Sequence, residues 1–246
     1  MSNYIYADLK RILFRAPRII LTLLVYAVFA AVTAFTYYTS WSSINFVKNA
    51  QTYIEFLPIL LGLVEMIAVF ADDFRAKTMQ VAIGLGISRA KVVFCKLIEA
   101  AVLVAIDLAV LAAIVLGASS YLKAGLSPSQ TNELLICLTM AGVSTISYIS
   151  LTMILMFYNQ STGLGRILYL LLAVGIVSAA VSLIGIIEFL EPLRLESYTL
   201  SNFLSVARAR WIVGTFDVKS IIGILAYIAG STGLTIFLFR KRELEF

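Results

Sequence analysis

Six stretches of this chain, residues 19–39, 53–71, 92–117, 134–158, 167–187 and 220–239, are apolar over most of their length. Each matches or exceeds the roughly 20 residues that a helix needs to cross the hydrocarbon core of a bilayer. Lipid offers a bare backbone no hydrogen-bond partner, so only helices or a closed barrel can span it. These runs are longer than the strands of about 9–11 residues that build barrels. The expected fold is therefore an all-α integral membrane protein, a single transmembrane domain over residues 1–246 with six membrane-spanning helices. Composition agrees: 61% of the residues are hydrophobic and only 13% are charged, too apolar for a soluble globule. No internal repeat, low-complexity tract or separate soluble domain interrupts the pattern.

Basic residues orient such a bundle, because cytoplasmic flanks carry the excess of Lys and Arg. With the N-terminus inside, thirteen fall on the cytoplasmic side, among them Lys10, Arg11, Arg15, Arg18, Lys77, Lys96 and Arg242. Six fall outside: Lys48, Lys123, Arg194, Arg208, Arg210 and Lys219. Six spans then place both termini in the cytosol. The aromatic belts follow, with Tyr37, Tyr38, Trp41, Tyr53 and Trp211 at outer ends and Tyr158, Tyr169 and Phe239 at inner ends. The net charge of +5 reads as this topology signal, and no nucleic acid partner is implied.

Residues 1–18 begin with a basic stretch and lead into an apolar run of about 21 residues, longer than the usual 7–15 of a cleaved signal. Ile5, Leu9, Ile12 and Leu13 recur at helical spacing. The segment is expected to be an interfacial helix on the cytoplasmic surface, ended near Pro17. Between spans five and six, the outer connector 188–219 carries Glu188, Glu191, Glu196, Arg194, Arg208 and Arg210. Leu200, Phe203, Leu204, Ala207 and Trp211 have helical spacing there. Short helices lying on or dipping into the outer leaflet are expected, with a break at Pro192.

The inventory for chemistry is short. There is no histidine, the commonest metal ligand and general base. Cys95 and Cys137 lie near opposite membrane faces and read as packing residues. No phosphate loop is present, and Gly84-Leu85-Gly86 lacks the spacing and the preceding strand of a nucleotide fingerprint. Asn159-Gln160-Ser161 matches a glycosylation acceptor but falls on the cytoplasmic side. No catalytic residues, metal ligands or cofactor-binding residues are expected on the chain.

Four acids lie in apolar segments, and intramembrane acids are by default candidates for function. Glu55 is at the outer edge of span two. Glu99 is placed to pair with Lys96 at i,i+3. Glu65 lies about 9 Å from the inner end of span two, at about 1.5 Å per residue. Asp107 is near the middle of span three, and its own-helix neighbours Leu103, Val104, Val110 and Leu111 offer no partner. Asp107 and Glu65 either line a translocation path or helix interface, or bond to Ser or Thr of a neighbouring span. The small-residue pairs Gly175/Ala179, Ser178/Ser182, Ala226/Gly230 and Ala229/Gly233 mark close helix contacts, within the chain or to a second copy.

The connector 72–91 between spans two and three is longer and more charged than a turn requires. Asp72, Asp73, Arg75 and Lys77 give it a charged side, and Phe74, Met79, Val81 and Ile83 an apolar one. Its sequence Asp72-Asp73, Lys77-Thr78, Ser88-Arg89 and Lys96, with the basic ending Phe239-Arg240-Lys241-Arg242, resembles the permease subunits of ABC-2 type transporters. That family often shows an acid, Gly-Thr, Pro-x-Ser-Arg and a Lys at similar spacing; here Lys77 and Gly86 stand where Gly and Pro are usual. The resemblance extends to small six-helix permeases of bacterial peptide-toxin and lantibiotic export and immunity. It implies a non-catalytic membrane subunit of an ATP-driven exporter in the bacterial plasma membrane. Residues 72–91 would be a coupling helix docking on a cytosolic ATPase that holds ATP and Mg. Asp72, Asp73, Phe74, Arg75, Lys77, Thr78, Met79, Ser88 and Arg89 would make that contact. The outer connector would form re-entrant helices capping the path. One six-span chain is too small to enclose a path for a peptide, so a second permease copy or a homologous permease is expected. A proton-coupled carrier or channel using Asp107 and Glu65 is the competing expectation.

Overall fold

The computed structural model describes residues 2–40, 42–76, 78–185 and 194–241. Trp41, Lys77, residues 186–187 of span five, Glu188, Glu191, Pro192 and the ending from Arg242 onward lie outside them. The described chain is helical, with no strand among the described residues. Among the described residues five helices are long and apolar enough to cross a membrane, or six when a bent pair is counted as one span.

Helix α1 (Ser2–Leu13) buries Ile12 and packs Leu9 and Leu13 on the core. Pro17 does not end it. The chain breaks at Phe14 and Arg15, and Pro17 sits in the first turn of α2 (Ala16–Thr39), where a missing N–H is harmless. One stripe of α2 is buried: Arg18, Thr22, Val25, Phe29, Thr33 and Thr36.

Span two starts ten residues earlier than hydropathy suggests. Ser42 accepts the Asn45 N–H at 3.3 Å and starts α3 (Ser43–Ile54). Phe46, Val47, Ala50 and Ile54 face inward, while Lys48 and Thr52 stay exposed. An amphipathic helix of this kind dilutes its own hydropathy. The chain jogs at Glu55 and Phe56 before α4 (Leu57–Met66), a π turn (Ile67–Ala71) and α5 (Asp72–Arg75). Asp72–Arg75 therefore prolong the span, and the connector proper begins after them.

A short helix α6 (Thr78–Gly84) leads through Gly86, at φ 94°, to α7 (Arg89–Tyr121). Ser88 caps α7, accepting the Lys91 N–H at 3.4 Å. A Ser127–Gln130 capping box starts α8 (Pro128–Asn159). Span five is α9 (Gly163–Ala173) and α10 (Ile176–Gly185), bent by 66° at Gly175, whose φ of 85° favours glycine. Gly175 is thus a break and not the start of a packing stripe. After a 3-10 turn (Leu195–Tyr198) come α11 (Leu200–Ile212) and α12 (Val218–Lys241).

Helix α11 buries Leu200, Phe203, Leu204 and Ala207 against α8 and α12. The Tyr227 hydroxyl donates to the Tyr198 carbonyl at 2.8 Å. Tyr227 is nine residues into α12, about 14 Å from its start, so the entry to α11 lies well along the length of α12. The small stripe of α12 packs on nothing among the described residues: Ala226, Ala229, Gly230 and Gly233 are exposed, and a Cβ at Gly230 or Gly233 would meet open space. Two aromatics expected in the inner belt are interior instead: Tyr169 is fully buried and Phe239 is buried.

Candidate coupling base and intramembrane charge layer

The end of the bundle that carries α1, α6 and the last turn of α12, here the base, is tied together by charges. Lys96, with no exposed surface, pairs with Asp8 of α1, Asp73 of α5 and Glu99 one turn along α7, the last at 2.8 Å. Arg11 reaches Asp8 at 2.6 Å and Asp73 at 2.7 Å. The Thr78 hydroxyl donates to Asp73 at 2.6 Å, and Arg15 pairs with Asp72. The expected Lys96–Glu99 pair is present, as part of a wider network. A fully buried Lys is tolerated only when paired, and here three helices supply the acids.

Aromatic rings join the same base to α8 and α12. Phe157 makes edge contacts with Phe70, Phe74 and Phe239, at centroid distances of 6.3, 5.5 and 5.0 Å. Arg89 donates to the Phe239 and Arg240 carbonyls at 2.7 and 3.0 Å, so it caps the C-terminal end of α12. Its guanidinium also lies 5.5 Å from the centre of the Phe239 ring.

Most of the residues expected to meet an ATPase are therefore engaged inside the chain. Asp72, Asp73, Thr78 and Arg89 belong to the networks above, and Ser88 is a helix cap. Met79 is buried, and Phe74 packs on Phe157; neither presents an anchor outward. Arg75 is exposed. The apolar side that faces out consists of Val81, 61% exposed, and Leu85, 81% exposed, one turn apart on α6 and its end.

A second layer lies deeper. From Asp73 to Glu65 is about 12 Å along span two, and from Lys96 to Asp107 about 16 Å along α7. Arg18 of α2 donates to Glu65 at 3.1 Å and to the two Asp107 oxygens at 3.3 and 3.4 Å. The Tyr26 hydroxyl donates to Asp107 at 2.6 Å. Arg18 is 6% exposed, Glu65 not at all and Asp107 1%. Asp107 thus finds its partners on another helix, and Arg18 is part of the interior and not a flanking charge. Burial of a charge is tolerated when it is paired, and the signal for Arg18 was its spacing with Thr22 and Tyr26 along one face of α2.

At the opposite end Arg208 of α11 pairs with Glu55 at 2.6 Å, over a cavity of about 160 Å³ between α4, α8 and α11. Ser144, Tyr148, Ser201 and Ser205 line it together with Met140 and Leu204. Asp217, just before α12, accepts the Ser220 hydroxyl and the Ser220 N–H, the latter at 2.9 Å; these bonds hold its carboxyl below the usual range. Cys95 and Cys137 are free and buried. No family model matches the chain, and no curated protein matches its sequence.

Proposed function

We propose that the chain is the permease subunit of an ATP-driven exporter, with its base on the cytosolic side of a bacterial plasma membrane. The observation that carries this reading is the outward-facing apolar pair Val81 and Leu85 on a connector that is fixed to the bundle, through its own residues and the helix ends that flank it, at three places. Asp73 and Thr78 tie it to Lys96 and α1, Phe74 ties it to α8, and Arg89 ties it to the end of α12. A contact made there bears on four helices together, α1, α7, α8 and α12, and that is what a chain with no nucleotide motif needs in order to receive work from a partner. Gly84 and Gly86 flank Leu85, leaving room for a groove to close around it.

The partner is a cytosolic ATPase that carries ATP and Mg. The substrates are amphipathic peptides or other hydrophobic compounds, and the distal cavity, with its ion pair, hydroxyls and apolar walls, suits such mixed chemistry. That cavity is too small for a peptide, which supports a second permease copy; the exposed small stripe of α12 is one surface on which it can sit. The competing carrier reading draws on Glu65 and Asp107, but both are already held by Arg18 inside the bundle.

The test is coexpression with the ATPase subunit. Val81→Asp with Leu85→Asp should abolish copurification and substrate-stimulated ATP hydrolysis, because truncated or charged anchors lose about 2 kcal/mol or more. The six spans should still insert. Phe74→Ala should instead lower the stability of the base. Full ATPase association and transport in the Val81/Leu85 double variant would remove the mechanical basis of the exporter reading.

A further inference from the structure

The deep layer holds one cation and two carboxyl groups. Arg18 is shared between Glu65 and Asp107, and the two carboxyls converge on the same guanidinium nitrogen, at 3.1 Å for Glu65 and 3.3 Å for Asp107. Two bare carboxylates are both acceptors and repel, so a bond between them needs a proton. The charge count agrees. With both acids ionised, the layer carries one uncompensated negative charge in a site closed to water, which is strongly unfavourable.

The unpartnered atoms point to the same occupant. Among the described residues Glu65 Oε2, Thr22 Oγ1 and Arg18 Nε are buried without a hydrogen-bond partner, and Thr22, on the buried stripe of α2, lies one turn from both Arg18 and Tyr26. Arg18 takes Glu65 Oε1 and both Asp107 oxygens. The oxygens left over are too few for a hard divalent cation, which takes about six or more, but one acceptor and one neighbouring acid are sufficient for a proton. The charged groups acting on Glu65 are Asp107 and Arg18, and those acting on Tyr26 are Asp107, Arg18 and Glu65. Of the other packed elements, α9 brings Tyr169, whose hydroxyl donates to the Pro58 carbonyl. Helix α8 brings Tyr148, set edge-on to Tyr169 at 6.2 Å, and Glu133, which accepts from Gln51 at 2.5 Å. Lys96 and Glu99 of α7 are committed to the base.

We propose that Glu65 and Asp107 form a proton-binding site, one proton held between their carboxyls and closed over by Arg18 and Tyr26. Binding converts one carboxylate to a carboxylic acid that donates to the other; release returns the proton to water and leaves two carboxylates on one guanidinium. The folded protein then binds one proton more than the unfolded chain at neutral pH. Stability must therefore fall as pH rises, with the unfolding constant growing up to about tenfold per pH unit while the site stays occupied. The site does not depend on the ATPase reading, since it is a property of the chain alone.

The experiment uses the full chain in lipid nanodiscs. Infrared spectra in light and heavy water at neutral pH should show the carbonyl stretch of a buried carboxylic acid. Glu65→Gln and Asp107→Asn should each remove that band, and unfolding of the neutral mimic Glu65→Gln should lose the pH dependence of the parent while remaining folded. If Glu65→Gln does not fold, Asp107→Asn carries the same comparison. Absence of the band in the parent, or its persistence at undiminished intensity in both variants, overturns the proposal. So does a sodium-dependent rise in stability at constant ionic strength that disappears in Glu65→Gln, since the occupant would then be a metal cation.

Discussion

Replacing Arg18 with methionine separates two roles that an arginine near the start of a membrane helix can play. As a topological flank it would be dispensable: thirteen cytoplasmic basic residues become twelve, still against six, so the orientation should hold. As the partner of two buried acids it is not dispensable. Methionine keeps the apolar stem but leaves Asp107 with the Tyr26 hydroxyl and the proton shared with Glu65, and leaves Glu65 without the guanidinium that now donates to it at 3.1 Å. Removing one member of a buried ion pair costs about 3–5 kcal/mol, because the other charge stays behind. The expected loss for Arg18→Met is of that size, and adding Asp107→Asn should recover most of it. The assay is reversible unfolding in mixed micelles of increasing denaturing detergent, with Lys10→Met, on the exposed side of α1, as the control expected to stay within about 0.5 kcal/mol of the parent. If Arg18→Met matched that control, the deep layer would contribute nothing to stability and the argument from paired burial would fail.

Two further outcomes follow from the packing and the charge asymmetry. A Cβ at Gly62 would lie 1.8 Å from the Tyr169 hydroxyl oxygen, so Gly62→Ala should lose about 1–3 kcal/mol through overpacking; Gly233→Ala, facing open space, should be close to neutral, and equal melts for the two would remove Tyr169 from its place between α9 and α4. In a background without Cys95 and Cys137, single cysteines at Lys48, Lys123 and Arg208 should react with an impermeant thiol reagent on intact cells, whereas those at Lys10 and Lys91 should not; labelling at Lys91 would invert the orientation.

Much of the helical framework was legible because lipid makes length and hydropathy decisive: spans one, three, four and six fall where the apolar runs lie. The start of span two was hidden because Lys48, Asn49, Gln51 and Thr52 share α3 with Phe46, Val47 and Ile54, and a window average cannot separate the two faces of a helix. The bend in span five rests on one backbone angle at Gly175, which no hydropathy value records. In the charged residues the local rule worked where the partner is local, as in Lys96–Glu99. It could not see Asp8, Asp73 or Arg18, which reach Lys96, Glu65 and Asp107 across 23 to 89 positions of sequence. The connector was recognised as amphipathic, but its two apolar sides were merged: Phe74 and Met79 serve the interior, and Val81 and Leu85 face out. Helical spacing alone does not say which side a small helix turns toward its own bundle.

The π turn at Ile67–Ala71 stands between the two charge layers on span two. An α-helix turns by about 100° for each residue, at 3.6 residues per turn, and a π turn closes its hydrogen bonds one residue later than an α turn. Exchanging one register for the other would swing Asp72 and Asp73 around the helix axis by an angle of that order relative to Glu65, with little change in height. Such an exchange would turn the ends of span two against each other more than it would slide them, and it would act on the grip of Lys96 on Asp73.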